Sequence, residues 1–187
     1  MREPDTPPDG DGTDGAAPSS GGEKALNRAR TLALRMLAHK PRTAAQLEAG
    51  LLRRGHEEEI VATVMDECTR AGLVDDAVFS RAWVSSRHHG RGLSRAALTR
   101  ELRTRGVAEE TVRDAVAELG DEEEAAAARA LARRSLSGSR GRERETRVRR
   151  ALGVLARKGY GGGLSYRIVR EELESEGVDA DLGEPPE

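Results

Sequence analysis

Thr43-Ala-Ala-Gln-Leu-Glu-Ala-Gly-Leu-Leu-Arg-Arg-Gly55 and Ser94-Arg-Ala-Ala-Leu-Thr-Arg-Glu-Leu-Arg-Thr-Arg-Gly106 align without a gap at an offset of 51 residues. Each begins on a hydroxyl residue suited to cap a helix N-terminus by accepting a bond from an orphan backbone N–H. Each carries a leucine pair four apart, Leu47/Leu51 and Leu98/Leu102, which falls on one helix face. Each ends on a glycine where a helix C-cap calls for a left-handed residue, preceded by an arginine that suits the negative helix end. The match continues beyond the glycines. Val61, Val64, Met65 and Cys68 correspond at the same offset to Val112, Ala115, Val116 and Leu119, a second amphipathic helix in each copy.

Working outward, a third and looser copy appears. Val148, Ala151, Leu152 and Leu155 form an apolar stripe ending at Lys158-Gly159, and Leu164, Ile168 and Val169 open a last helix. Each copy also has a leading helix. The first has the stripe Leu32, Ala33, Met36 and Leu37, and Pro41 with Arg42 ends it. In the second, Asp75 or Asp76 caps a helix whose stripe is Phe79, Ala82, Trp83 and Ser86, ending at Gly90-Arg91-Gly92. The third begins at Asp121, turns Ala128, Leu131 and Ala132 inward, and is followed by the loop Ser137–Gly141. The expectation is nine helices and no strand: an all-α chain of three tandem three-helix repeats forming an elongated curved array, with a disordered N-terminal tail. The expected boundaries are an acidic Gly/Pro-rich tail over 1–24, repeats over 25–73, 74–120 and 121–177, and a second acidic tail over 178–187. Stacked units of this kind expose long faces and no deep pocket, which favours binding a groove or filament over enclosing a small molecule.

Composition agrees. Aromatic residues make up 2% of the 187 residues and charged residues 34%, so the core is left to Ala, Leu and Val in thin helix-on-helix seams. A single cysteine, Cys68, excludes an intrachain disulfide and a cysteine zinc cluster, and it points to a reducing, cytoplasmic setting. No apolar run approaches the roughly 20 residues of a membrane span. The formal net charge of −2 hides segregation. Setting aside residues 1–27 and 167–187 leaves 19 acids and 27 bases over 28–166, a net of +8. A basic body between acidic ends suits an anionic partner, either nucleic acid or an acidic protein groove; the alternative is a merely solvated helical surface.

Several features invite chemistry and are read structurally. Asp75-Asp76 and His88-His89 lie at opposite ends of one helix, about 18–20 Å apart along its axis, too far for one metal site. Gly90-Arg91-Gly92 and Gly161-Gly162-Gly163 lack the strand and the Gly-Lys-Ser/Thr ending of a phosphate loop. Trp83 could stack a base, but its spacing with Phe79 favours a core anchor. Cys68 continues the stripe of Val61, Val64 and Met65 as a small buried hydrophobe. No catalytic residues, cofactor or metal are expected, and the chain is read as a non-enzyme.

The run Asp75-Asp76-Ala-Val-Phe79-Ser80-Arg81-Ala82-Trp83-Val84, then Arg87 and Glu101-Leu102-Arg103-Thr104-Arg105-Gly106-Val107, closely resembles the central repeat of RecX-family regulators. Leu34-Arg35-Met36-Leu37-Ala38-His39-Lys40-Pro41-Arg42-Thr43 with Gln46-Leu47 resembles that family's first repeat, and Arg157-Lys158-Gly159-Tyr160 the glycine-aromatic turn of its third. The likeness covers roughly residues 28–175. It implies a bacterial cytoplasmic modulator that lies in the groove of the RecA–DNA filament, and the chain is read as a monomer. There it would limit filament growth and thereby recombinase, ATPase and co-protease activity in DNA repair, recombination and the SOS response. The extended Gly161-Gly162-Gly163 and the long acidic tails depart from the family pattern.

Such an inhibitor needs basic side chains on a stiff scaffold, and the candidates are Arg81, Arg87, Arg91, Arg95, Arg100 and Arg103. Arg100 and Arg103 fall on the helix face opposite Leu98 and Leu102. Of the 31 bases only Lys24, Lys40 and Lys158 are lysine, and arginine offers a planar fork for carboxylate or phosphate. Any DNA contact is expected to be weak and sequence-independent. The alternative is a helix-turn-helix transcriptional regulator, since Thr43–Gly55 followed by residues 57–71 reads as two helices joined by a tight turn.

Overall fold

The computed structural model describes residues 20–177, in which there are nine α-helices and no strand. They are α1 Ser20–His39, α2 Ala44–Leu52, α3 Glu58–Arg70, α4 Asp76–Arg91, α5 Arg95–Thr104, α6 Glu109–Ala117, α7 Asp121–Ser137, α8 Arg144–Arg157 and α9 Gly162–Ser175. Substantial helix-on-helix contact occurs only within α1–α3, α4–α6 and α7–α9, so the molecule is an elongated array of three helix trios. Helix α1 starts earlier than expected: Gly21–Lys24, read from sequence as tail, form its exposed first turn. Glu23 there suits the positive helix end, and strong helix formers follow. Residues 1–19 and 178–187, expected to be tails, lie outside the described residues.

Each trio has its own core. Leu47, Leu51, Val61, Val64 and Cys68 pack with Ala33 and Met36 in the first. Leu98, Leu102, Val112, Ala115, Val116 and Leu119 pack with Val84 in the second. Ala128, Ala132, Leu136, Ala151, Leu155, Ile168, Val169 and Leu173 make the third. The caps fall where the repeat placed them. Thr43 accepts from the Gln46 amide in a capping box, and Ser94 accepts from the Ala97 amide. Gly55, Gly106 and Gly159 adopt φ of 80°, 77° and 87°. After each glycine the next amide donates back to a leucine carbonyl: His56 to Leu51, Val107 to Leu102, Tyr160 to Leu155. Burial pushes the Cys68 thiol pKa up, as fits a core residue.

Helix α4 departs from its expected stripe. Ala82 and Ser86 are exposed, whereas Ser80, Val84 and His88 are buried, with Phe79 and Trp83 half-buried along the edge. The inward face is rotated by about one residue, roughly 100° of helix. His88 tolerates burial because its Nδ1–H donates to the Leu93 carbonyl at 2.9 Å.

The trios meet through two joints of similar design. At the first, Thr43 Oγ1 donates to the Arg105 carbonyl at 2.6 Å, and the Ala44 amide donates to Asp76 Oδ1 at 2.8 Å. At the second, the Ser94 amide donates to the Lys158 carbonyl at 3.0 Å, and the Arg95 amide donates to Glu124 Oε1 at 2.8 Å. In both, the N-terminus of one trio's middle helix sits on the glycine turn that ends the next trio's middle helix. An acidic side chain from the start of that next trio satisfies the exposed first amide. Asp75, not Asp76, therefore caps α4, accepting from the Val78 amide at 2.9 Å.

Tyr160 locks the second joint by donating its hydroxyl to the Gly92 carbonyl at 3.1 Å. Burial, with a smaller contribution from Glu124, pushes its phenol up to about 12. The fold thus favours the neutral phenol, whereas the unfolded chain ionises near the ordinary pKa of about 10. This contribution to stability is whole below that value and is lost as pH rises from about 10 to about 12. Tyr160→Phe is expected to be about 1 kcal/mol less stable at neutral pH and to lose this part of the alkaline decline. Urea midpoints across the alkaline range check it; parallel declines in both proteins would refute it.

Candidate functional site

The six arginines singled out by sequence divide into two groups. Arg81, Arg91 and Arg100 are exposed and have no ion-pair partner among the described residues. The other three are engaged. Arg87 Nε lies 3.7 Å from Glu101, Arg95 pairs with Asp121 and Glu124 across the second joint, and Arg103 pairs with Glu109. The hydrogen bond from Arg103 lowers the Glu109 pKa and raises that of Arg103. Arg95 is a strut of the scaffold, and its pKa is raised chiefly by the hydrogen bond to Asp121.

Trp83 is neither a plain core anchor nor an open stacking platform. Two guanidinium groups lie over its ring, Arg87 at 4.0 Å and Arg105 at 3.7 Å from the ring centroid. Its indole N–H donates to Glu101 Oε2 at 2.7 Å, and Phe79 stacks beside it at 5.6 Å. Arg105 also donates to the Glu101 carbonyl at 2.7 Å, and burial lowers its pKa. The assembly fastens α4 to α5 and so fixes the direction from which Arg81 and Arg100 project. Arg105 was missed in the sequence because Trp83 lies 22 positions earlier, and only the packed hairpin brings them together.

Two shallow grooves open on the second joint. One, of about 530 Å³, is lined by Arg100 and Arg103 of α5 and by Ala156, Gly159 and Tyr160 of the third trio. The other, of about 590 Å³, is lined by His88, Arg91, Leu131, Arg134 and Lys158, with Glu123 its one carboxylate. His89 Nε2 lies 3.2 Å from that carboxylate. The structure thus brings Arg100 and Arg103 to one groove and Arg91 to the other, places Arg95 in the joint, and leaves Arg81 outside both. Lys158 and Arg134 were missed by the sequence reading. The recurrence of Gly106 as Gly159 was the signal for Lys158, because it places the Lys158 turn beside the Ser94 cap.

Asp75 and Asp76 serve helix caps, and among the described residues no cluster of three or more His, Cys, Asp or Glu could hold a metal ion. No helix among them is long and apolar enough to cross a membrane. The arrangement offers a stiff, basic, two-groove surface suited to an extended anionic partner.

The chain matches the model of the RecX first three-helix domain over residues 29–68 and of the RecX second three-helix domain over residues 75–116. It is 53% identical to the regulatory protein RecX of Thermobifida fusca over 95% of this chain and 96% of that protein. It is 45% identical to the regulatory protein RecX of Streptomyces coelicolor over 89% and 92%. A crystal structure of RecX from Lactobacillus salivarius superposes with a TM-score of 0.73 at 15% identity, covering 80% of this chain and 97% of that one.

Proposed function

The chain belongs to the RecX family, and from that membership we infer that it binds the RecA–DNA filament and modulates, mainly by inhibition, RecA recombinase, ATPase and co-protease activity in DNA repair and the SOS response. In this reading it is a cytoplasmic, monomeric, non-enzymatic regulator. The observation that carries it is the second joint, where two trios held by bonds from the Ser94 and Arg95 amides present Arg91 and Arg100 beside adjoining grooves, neither side chain in an ion pair among the described residues. A helical polymer offers a repeating concave anionic surface, and an elongated array of rigid trios can follow it without rearrangement. Arg81 extends the same basic character along α4, while Arg87 and Arg103 act through the Trp83 clamp and the Glu109 pair.

Arg91→Glu/Arg100→Glu is expected to abolish inhibition of RecA ATPase on single-stranded DNA while the far-ultraviolet helical signal stays unchanged. Reversing Arg87 would instead disturb the Trp83 stack, so that variant reports on folding and contact together. Undiminished inhibition by the folded double variant would sink the reading. Suppression well below one copy per RecA would assign the action to filament ends, and suppression only near equivalence to groove occupancy. A sequence-specific footprint on duplex DNA without RecA would favour the helix-turn-helix alternative instead.

A further inference from the structure

Helix α7 carries arginines on two sides, and their surroundings are opposite in character. Toward α9 they are neutralised: Arg129 lies 2.8 Å from Glu171, and Arg133 lies 2.8 Å from Glu172. Toward α8, Arg134 forms one wall of a trough of about 530 Å³ whose other basic residues are Arg149, Arg150 and Arg157. No carboxylate lines this trough, and all four side chains are exposed. None of the four has an ion-pair partner among the described residues. Its floor is made of small residues, including Gly138 and Gly153. A Cβ at Gly153 would lie 3.3 Å from Arg157 Nη1, so a larger residue would crowd that guanidinium. Arg150, Gly153 and Arg157, at helical spacing, share one face of α8.

Four like charges on facing helices repel one another, and nothing within the trough compensates. An anion from outside relieves that repulsion, and the planar forks match phosphate oxygens in pairs. A protein ligand would call for an aromatic or aliphatic anchor pocket. The trough offers only half-buried Val154, and it has no ring on which a base could stack. A recess between two helices admits one backbone, whereas a duplex would meet only its rim.

We propose that the α7–α8 trough is a binding site for the phosphodiester backbone of single-stranded nucleic acid, gripped by Arg134, Arg149, Arg150 and Arg157 without regard to base sequence. The site lies on the third trio, and its assignment stands apart from the filament reading. Its test contains no RecA, so failure of one leaves the other intact.

Fluorescence anisotropy of a labelled oligo-dT strand, followed across salt concentration with the full chain, provides the test. Arg149→Gln/Arg150→Gln/Arg157→Gln is expected to make the log–log salt slope shallower by about 2, at about 0.7 for each phosphate no longer neutralised. Arg53→Gln/Arg70→Gln/Arg113→Gln removes the same charge from the other two trios and is expected to leave the slope unchanged. In the unmodified protein, the bound strand should protect Arg149, Arg150 and Arg157 from phenylglyoxal but not Arg53, Arg70 and Arg113, a readout independent of any variant's folding. Equal slope changes in the two triple variants, or uniform protection, would overturn the assignment. So would equal or tighter binding of a duplex of the same length, or displacement of the strand by polyglutamate more readily than by unlabelled dT.

Discussion

Gly159→Ala is expected to lower the stability of the chain by about 3 kcal/mol, against about 1 kcal/mol for Gly55→Ala. Both glycines occupy the left-handed region, at φ of 87° and 80°, so a Cβ strains the backbone at either one. They differ in what lies beyond. A Cβ at Gly55 meets nothing within 4 Å, because among the described residues no middle-helix N-terminus of another trio sits on this turn. A Cβ at Gly159 would lie 2.7 Å from Ser94 Oγ and 2.8 Å from Ala97 Cβ, in the tightest part of the second joint. Neither neighbour is the far end of a flexible side chain, so the backbones must separate. Gly106→Ala belongs with Gly159→Ala, since its Cβ would come within 2.5 Å of Ala45 Cβ at the first joint. Urea denaturation of the three variants provides the comparison. Equal losses at all three positions would show that the joints are loose and that only local backbone strain matters. Hydrogen exchange gives a second readout, because faster exchange of the Ala97 amide in Gly159→Ala would place the damage at the joint itself.

The repeat offset made much of this fold legible. A hydroxyl cap, two leucines and a glycine recurring in register settle helix positions, because capping and left-handed turns are local requirements written in single residues. Burial on α4 was harder to read. Hydrophobicity ranks Phe79 and Trp83 above Ser80 and His88, yet the helix turns the latter pair inward and leaves the rings at its edge. A small hydroxyl residue occupies little volume, and a histidine that donates to the Leu93 carbonyl loses little on burial, so volume and pairing outweigh polarity there. Long-range partners left no local trace. Thr43 and the Arg105 carbonyl are 62 residues apart, and the two sides of α7 differ only because α9 supplies Glu171 and Glu172 while α8 supplies arginines. For the same reason the six sequence candidates looked alike, although three of them are bound to carboxylates in the folded chain.

Leu102→Ala is expected to unfold the middle trio while the outer two remain helical. Leu102 is fully buried among Val84, Leu98, Val107, Val112, Ala115, Val116 and Leu119, a core with no fully buried aromatic side chain able to relax into the gap. Truncating a buried leucine costs about 3 to 4 kcal/mol once the cavity is included. A unit of this size, at roughly 0.1 kcal/mol per residue over some 45 residues, holds about 5 kcal/mol. One substitution thus removes most of what keeps the trio folded, and the joints are too small to restore it. Leu51→Ala and Leu155→Ala delete the equivalent leucines, the acceptors of the same turn bond, from the first and third trios. In each variant, hydrogen exchange resolved by segment should rise steeply in one trio alone. The functional consequences should diverge as well: the middle trio carries Arg81, Arg91 and Arg100 and half of each joint, so Leu102→Ala should abolish the proposed inhibition of RecA while most of the helical signal persists. The third-trio trough does not depend on that core, so Leu102→Ala should still bind an oligo-dT strand. A single cooperative loss of protection spread evenly across all nine helices would contradict this picture, because it would mean that the joints, and not the three separate cores, set the stability of the array.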